Sequence, residues 1–233
     1  MKQALILGCS HAAGSEISSD DQYNHSHSYA VKIAQSLGYH ALNHAIAGGS
    51  NDAMFRIFER ELSNFSSDDI AIACWTGCDR SEIYSQENQQ WLPLAAGLEG
   101  WLRTEPDDVT REGRKKVVKK RYQWIDQHKL YQKYLNHWVV FATDPAAGRL
   151  NKIKNIVALN ELATHASIKV INIDSFWPID DAAVLNTYEW IAPVFLDWCI
   201  EQKFTPTSRM HFNEAAHQEF ADYVVRNYEK YIC

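Results

Sequence analysis

Apolar runs and helical-period segments alternate along the first third of this chain. Ala4-Leu5-Ile6-Leu7 is unbroken by polar residues and predicts a buried strand over 3–9. From Tyr29 to Leu37 the apolar residues fall at helical spacing, and Gly38 stands where a helix C-cap glycine belongs. His40 to Ile46 predicts a second strand, followed by the turn Ala47-Gly48-Gly49-Ser50. Ser50 or Asn51 is placed to cap a helix carrying Met54, Phe55, Ile57, Phe58 and Leu62. Asp69 to Thr76 predicts a third strand, poor in polar residues because both of its faces are covered. Strand, helix, strand, helix, strand within 76 residues implies a parallel, doubly wound sheet joined by right-handed crossovers.

The rhythm then breaks. The Ser-, Asp- and His-rich stretch 15–28 reads as a loop. Residues 84–150 hold several Trp and Tyr, a Pro-Asp-Asp turn near 106 and a long helix from about 109 to 141; they read as an insertion or cap within one domain spanning 1–233. Helices are expected over 151–165, 187–202 and 213–231, with a fourth strand at 168–174.

Composition narrows the class. The 233 residues are 46% hydrophobic and 22% charged, which is globular and long enough for a substantial core. A net charge of −6 disfavours global nucleic-acid binding. Five cysteines, at 9, 74, 78, 199 and 233, form no regular framework and fit reduced thiols in a cytoplasmic setting. Cys74 and Cys78 lack the spacing and the second pair of a zinc site. The first apolar run ends by residue 7, too short for a signal peptide or membrane span.

Candidate chemistry sits at the two ends. Ser10 ends the first strand, where ligands collect in open α/β sheets. His211 and His217 lie near the other terminus, so an early nucleophile has late candidate bases. His11, His25 and His27 with Asp20 and Asp21 lack standard ligand spacing, which favours a polar loop over a metal site. Arg111, Arg114, Lys115, Lys116, Lys119, Lys120 and Arg121 put seven basic residues in eleven positions. A solvated helix face is the favoured reading; nucleic acid or another polyanion is the alternative partner. Trp91, Trp101, Trp124 and Trp138 are candidates for a sugar-stacking surface, although aromatics in a cap more often pack.

Four blocks together resemble the SGNH/GDSL hydrolase family. Gly8-Cys9-Ser10 with Gly14 resembles its G-D-S-x-x-x-G, Gly48 its glycine after strand two, and Trp75-Thr76-Gly77-Cys78-Asp79 its third block. Ser208 to His217, with His211 and Asn213, resembles the last block, D-x-x-H continued as H-P-N-x-x-G-H. The spacing Trp75-Thr76-x-x-x-Arg80-x-Glu82 is similar to bacteriophage-encoded members. The resemblance implies a flavodoxin-like three-layer α/β/α sandwich with a central parallel sheet and a helical insertion. It also implies a serine esterase without metal or cofactor, acting on a small-molecule or carbohydrate ester such as an O-acetyl group. In that scheme Ser10 is the nucleophile and His211 the general acid/base. The oxyanion donors would be the Ser10 and Gly48 N–H groups and, at the third block, Asp79, with the Thr76 hydroxyl as an alternative. Asp79 and Ser208 replace the family's asparagine and its histidine-orienting aspartate. This leaves open a Ser10–His211 dyad, a backbone carbonyl, or another carboxylate such as Asp174. A binding protein of this fold without catalysis is the rival reading.

Overall fold

The computed structural model describes residues 1–86, 89–95, 145–191, 193–207 and 209–232. The helix expected near 109–141, the basic run 111–121, Trp101, Trp124, Trp138 and Ser208 lie outside them.

Three apolar runs and the short, partly exposed segment His40–Asn43 form one all-parallel sheet. The strands are β1 (Gln3–Gly8), β2 (His40–Asn43), β3 (Ile70–Trp75) and β6 (Lys169–Asp174), in the order β2-β1-β3-β6. Alternate residues of each strand face opposite layers. Ala4 and Ile6 of β1, Ile70, Ile72 and Cys74 of β3, and Ile171 and Ile173 of β6 enter one core. That core is completed by α2 (Tyr29–Ser36), α6 (Phe195–Glu201) and α7 (Glu214–Ile232). Leu5, Leu7, Ala71, Ala73, Trp75 and Val170 enter a second core under α3 (Asn51–Glu61) and α4 (Pro145–His165). Helices thus cover both faces of a parallel sheet, the α/β sandwich that the alternation predicts. Burying a Leu or Ile side chain in such a layer contributes about 1.5–3 kcal/mol.

The helix starts follow local chemistry. Ser28 and Ser50 cap α2 and α3, their hydroxyls accepting from Val31 N–H and Ala53 N–H. Gly14 carries a positive φ of 70°, and a Cβ there would lie 2.2 Å from Asn24 O, so the first block's glycine answers a backbone requirement.

Three stretches differ from the sequence reading. Residues 15–28 contain a helix, α1 (Asp21–His27), capped by the Asp20 side chain. Its only buried residue is Asn24, so it carries no apolar stripe. Residues 80–95 hold an antiparallel pair, β4 (Arg80–Ser85) and β5 (Gln90–Ala95), fixed to α3 by the two-pronged Arg56–Glu82 ion pair at 2.7 Å. Finally, 187–202 is not one helix: α5 (Ala182–Thr187) ends as it begins, Trp190 bridges to Asn172, and α6 follows.

Among the described residues no helix is long and apolar enough to cross a membrane.

Candidate active site

The strand order reverses between β1 and β3, and in open α/β sheets ligands collect at the carboxyl ends of the strands at such a point. Gly8 pairs with Cys74, so Cys9-Ser10 and Thr76-Gly77 leave the sheet side by side. Beyond β1 the chain winds into a helical turn, with Ala13 N–H bonded to Cys9 O and Ser15 N–H to Ser10 O. Ser10 sits at the head of that turn, 7% exposed. The loop after β2 folds over the same strand end through the Ile46 N–H bond to Gly8 O at 3.0 Å. Within it Gly48 takes a φ of +79°, a conformation that favours glycine. Neither the Ser10 N–H nor the Gly48 N–H donates to a described residue.

His211 arrives from the loop before α7, and its ring packs edge-on against His11 with centroids 5.2 Å apart. The turn that bears Ser10 and His11 and the loop that bears His211 therefore meet. His11 is held between them: its Nε2 donates to Met210 O at 2.9 Å, and its ring stacks on Phe176 at 4.7 Å.

The carboxylate nearest the His211 ring belongs to a residue that the sequence does not single out. Glu16 Oε2 lies 3.2 Å from His211 Nδ1. Arg209 Nη1 holds Glu16 Oε1 at 2.9 Å, and the Thr207 hydroxyl donates to Oε2 at 2.7 Å. The same hydroxyl accepts the His211 N–H at 3.2 Å, which ties ring and carboxylate to one anchor. Burial works to raise Glu16, yet the His211 contact, the Thr207 hydrogen bond and the Arg209 charge outweigh it and hold the carboxyl at about 2. Burial lowers His211, reinforced by the charge of His11 and opposed by Glu16, so the imidazole is neutral at pH 7. Glu16 and Met210 both have positive φ, 68° and 61°, rare for residues with a side chain. Such strain concentrates at functional sites.

Asp174 does not take this role. It ends β6 and pairs with Lys152 Nζ at 2.5 Å while accepting Ile179 N–H at 3.0 Å. Of the alternatives that the sequence leaves open for holding the imidazole, Asp174 is instead paired with the buried Lys152. Burial raises the Asp174 carboxyl against the pull of that lysine. His217 is likewise committed elsewhere. Its Nδ1 accepts the Tyr29 N–H at 3.0 Å, and burial keeps it far below the usual histidine range.

The third block lines the other wall. Asn51 Oδ1 accepts the Thr76 N–H at 3.0 Å, fixing the end of β3 to the start of α3. Asp79 folds back over its own turn, with Oδ1 2.6 Å from where a Gly77 Cβ would stand. The Trp177 ring covers the same glycine and is 48% exposed. Of the histidines and acids in the first loop, Asp20 caps α1 and His27 stacks on Tyr23 at 3.7 Å.

No curated protein matches the sequence. Among solved structures, an acetyl xylan esterase (Est2A) from the rumen bacterium Butyrivibrio proteoclasticus is similar over 99% of this chain, at 10% identity and a TM-score of 0.47. The match spans 64% of that esterase chain. Residues 15–146, more than half of the sequence, match a family described as of unknown function (DUF6071), and the chain belongs to that family.

Proposed function

We propose that this protein is a serine ester hydrolase of the SGNH type, with Ser10 as nucleophile, His211 as general acid/base and Glu16 as the carboxylate that orients the base. The observation that carries the reading is the anchored pair of Glu16 and His211, 3.2 Å apart, beside the Ser10 turn. Glu16 on Nδ1 leaves Nε2 of His211 to face the nucleophile. A carboxylate there fixes the tautomer and stabilises the imidazolium that forms during reaction. Among the described residues the Ser10 hydroxyl makes no hydrogen bond and is uncommitted; nucleophile–base contacts often tighten only when substrate binds.

In this scheme His211 Nε2 takes the proton from Ser10 Oγ as it attacks the ester carbonyl. The tetrahedral oxyanion meets the Ser10 and Gly48 N–H groups. Collapse breaks the bond to the alcohol, which leaves with the proton from His211. Water, activated by the same imidazole, then releases the acid from Ser10. A small acyl ester such as a carbohydrate O-acetyl group is the substrate class that the sequence resemblance favours. The exposed Trp177 face beside Gly77 supports a sugar at the mouth.

Asp79 favours a second reading, binding without turnover, because a carboxylate takes the place of the asparagine donor that the resemblance implies. Intact-mass labelling with a fluorophosphonate separates the two. Hydrolysis predicts one adduct on the wild type and none on Ser10→Ala or His211→Ala. A folded wild type that takes no label assigns the Ser10 site to binding alone.

A further inference from the structure

His11 follows Ser10 directly and is 1% exposed. Its backbone is fixed by the turn that also carries Ser10: its carbonyl accepts the Gly14 N–H at 3.1 Å, beside the Ser15 N–H bond to Ser10 O. Its ring is fixed as well, stacked on Phe176 and edge-on to the buried Phe195 at 5.3 Å. The Nε2 of that ring meets Met210 O at 2.9 Å, 199 positions along the chain. A carbonyl oxygen only accepts, so Nε2 carries the hydrogen and the direction of the bond is settled. Met210 is the residue before His211 and has a left-handed φ of 61°. It is 38% exposed, so core packing does not impose that conformation. Such backbone persists only where its surroundings over-determine it. Here Met210 N–H donates to Thr207 O and Thr207 N–H to His211 O, closing the turn, and His11 holds it from outside.

We propose that His11 is a positioning residue: its Nε2–H docks the loop bearing His211 onto the turn bearing Ser10, and so sets where the base stands against the nucleophile. The inference rests on the Ser10–His211 reading above. Glu16 attaches the same loop through Arg209 and His211, at the far end of the first turn. One attachment leaves a loop free to swing about it; a second, next to Ser10, removes that freedom. The edge-on contact of the His11 and His211 rings, at 80°, joins the two residues directly. Proton transfer to the base depends on this placement, and a misplacement of about 1 Å can cost roughly 10²-fold in rate.

Three substitutions separate the bond from the bulk of the ring. His11→Phe keeps a ring and loses the donor. His11→Gln sets an amide N–H where Nε2 stands and offers nothing at Nδ1. His11→Asn stops one bond short of Met210 O. The rate of fluorophosphonate labelling at Ser10 should fall about 10²-fold in His11→Phe and His11→Asn, and His11→Gln should recover most of that loss. Should His11→Phe not fold, His11→Asn against His11→Gln carries the same comparison. Wild-type rates in all three, or His11→Gln as slow as the other two, overturn the proposal. Hydrogen exchange reads the docking without any chemistry at Ser10. The Thr207 and Met210 amides should exchange up to about tenfold faster in His11→Phe, the worth of one hydrogen bond, and return toward wild type in His11→Gln, with β1 and β3 unchanged. Exchange at Thr207 and Met210 that His11→Phe leaves alone, or a gain shared equally by β1 and β3, overturns the docking role. A wild type that takes no label overturns the esterase reading instead, and the exchange rates still decide whether His11 holds the loop.

Discussion

Two carboxylates at the same rim of this sheet, one buried and one partly exposed, have opposite characters. Asp174 ends β6, is 6% exposed, and faces Lys152, whose ammonium also donates to Trp177 O at 2.7 Å. The pair pins the loop that carries Phe176 and Trp177, and it is sealed. Glu16 lies on a turn with left-handed backbone and is 27% exposed at its side chain. It faces an arginine, a hydroxyl and a titratable ring. Both carboxylates are tightly held, but only Glu16 is held against a group that exchanges protons in the working pH range. Proximity to a strand end marks where chemistry collects; the partner decides whether a given carboxylate takes part in it.

Substitutions that swap the two roles should break this comparison where it is strongest. Glu16→Gln keeps the shape but removes the charge that fixes the His211 tautomer, and the rate of labelling at Ser10 should fall by about 10²–10⁴. Asp174→Asn should leave the labelling rate of the folded protein within about threefold, since the carboxylate touches neither Ser10 nor His211. Single-turnover labelling of both variants under one condition decides it. Equal losses would erase the distinction.

Stability should separate them in the other direction. Lys152→Met strands a buried carboxylate, and removing one partner of a buried pair costs about 3–5 kcal/mol. For a chain of this size each kcal/mol lowers Tm by roughly 2–4 °C, so calorimetry should show a drop of about 6–20 °C. Lys152→Met combined with Asp174→Leu should recover most of it, because the cost comes from the unpaired charge and not from loss of the pair itself. Arg209→Met, on the more exposed Glu16, should lower stability by only about 1 kcal/mol or less.

Much of this arrangement was legible in the residues, for physical reasons that also explain what was missed. Strands β1, β3 and β6 are covered on both faces, so they read as continuous apolar runs, and Ser10 is singled out by its place at a strand end, whereas Gly48 and His211 are read from the family resemblance. The pair β4 and β5 did not read as strands. Arg80-Ser81-Glu82 opens on polar residues and Pro93 interrupts the second strand, because this small sheet rests on α3 instead of entering a core. Glu16 was hidden for another reason. It sits in a polar stretch with no periodicity, and Thr207, its hydroxyl partner, is 191 positions away. One signal was available: an acid six residues after Ser10, within the turn that the first-block Gly14 requires, is held close to that serine by the short chain between them.

Acidification offers the smallest effect and a clean opposition of sign. Glu16 is lower in the folded protein, at about 2, than in the unfolded chain, where a glutamate titrates near ~4.3. Its contribution to stability is therefore present above the unfolded value and lost as pH falls toward the folded one. Asp174 is raised in the folded protein, so the folded state binds that proton more tightly, and its contribution becomes more favourable as pH falls through the same region. Glu16→Gln should then lose less stability between about pH 6 and pH 3 than the wild type, and Asp174→Asn should lose more. Solvent screening at the partly exposed Glu16 holds its difference to about 1 kcal/mol or less. Thermal melts of the three proteins across that range read the ordering directly. If both variants deviate from wild type in the same direction, the two carboxylates share one electrostatic environment, and the sealed pair is no longer distinct from the working one.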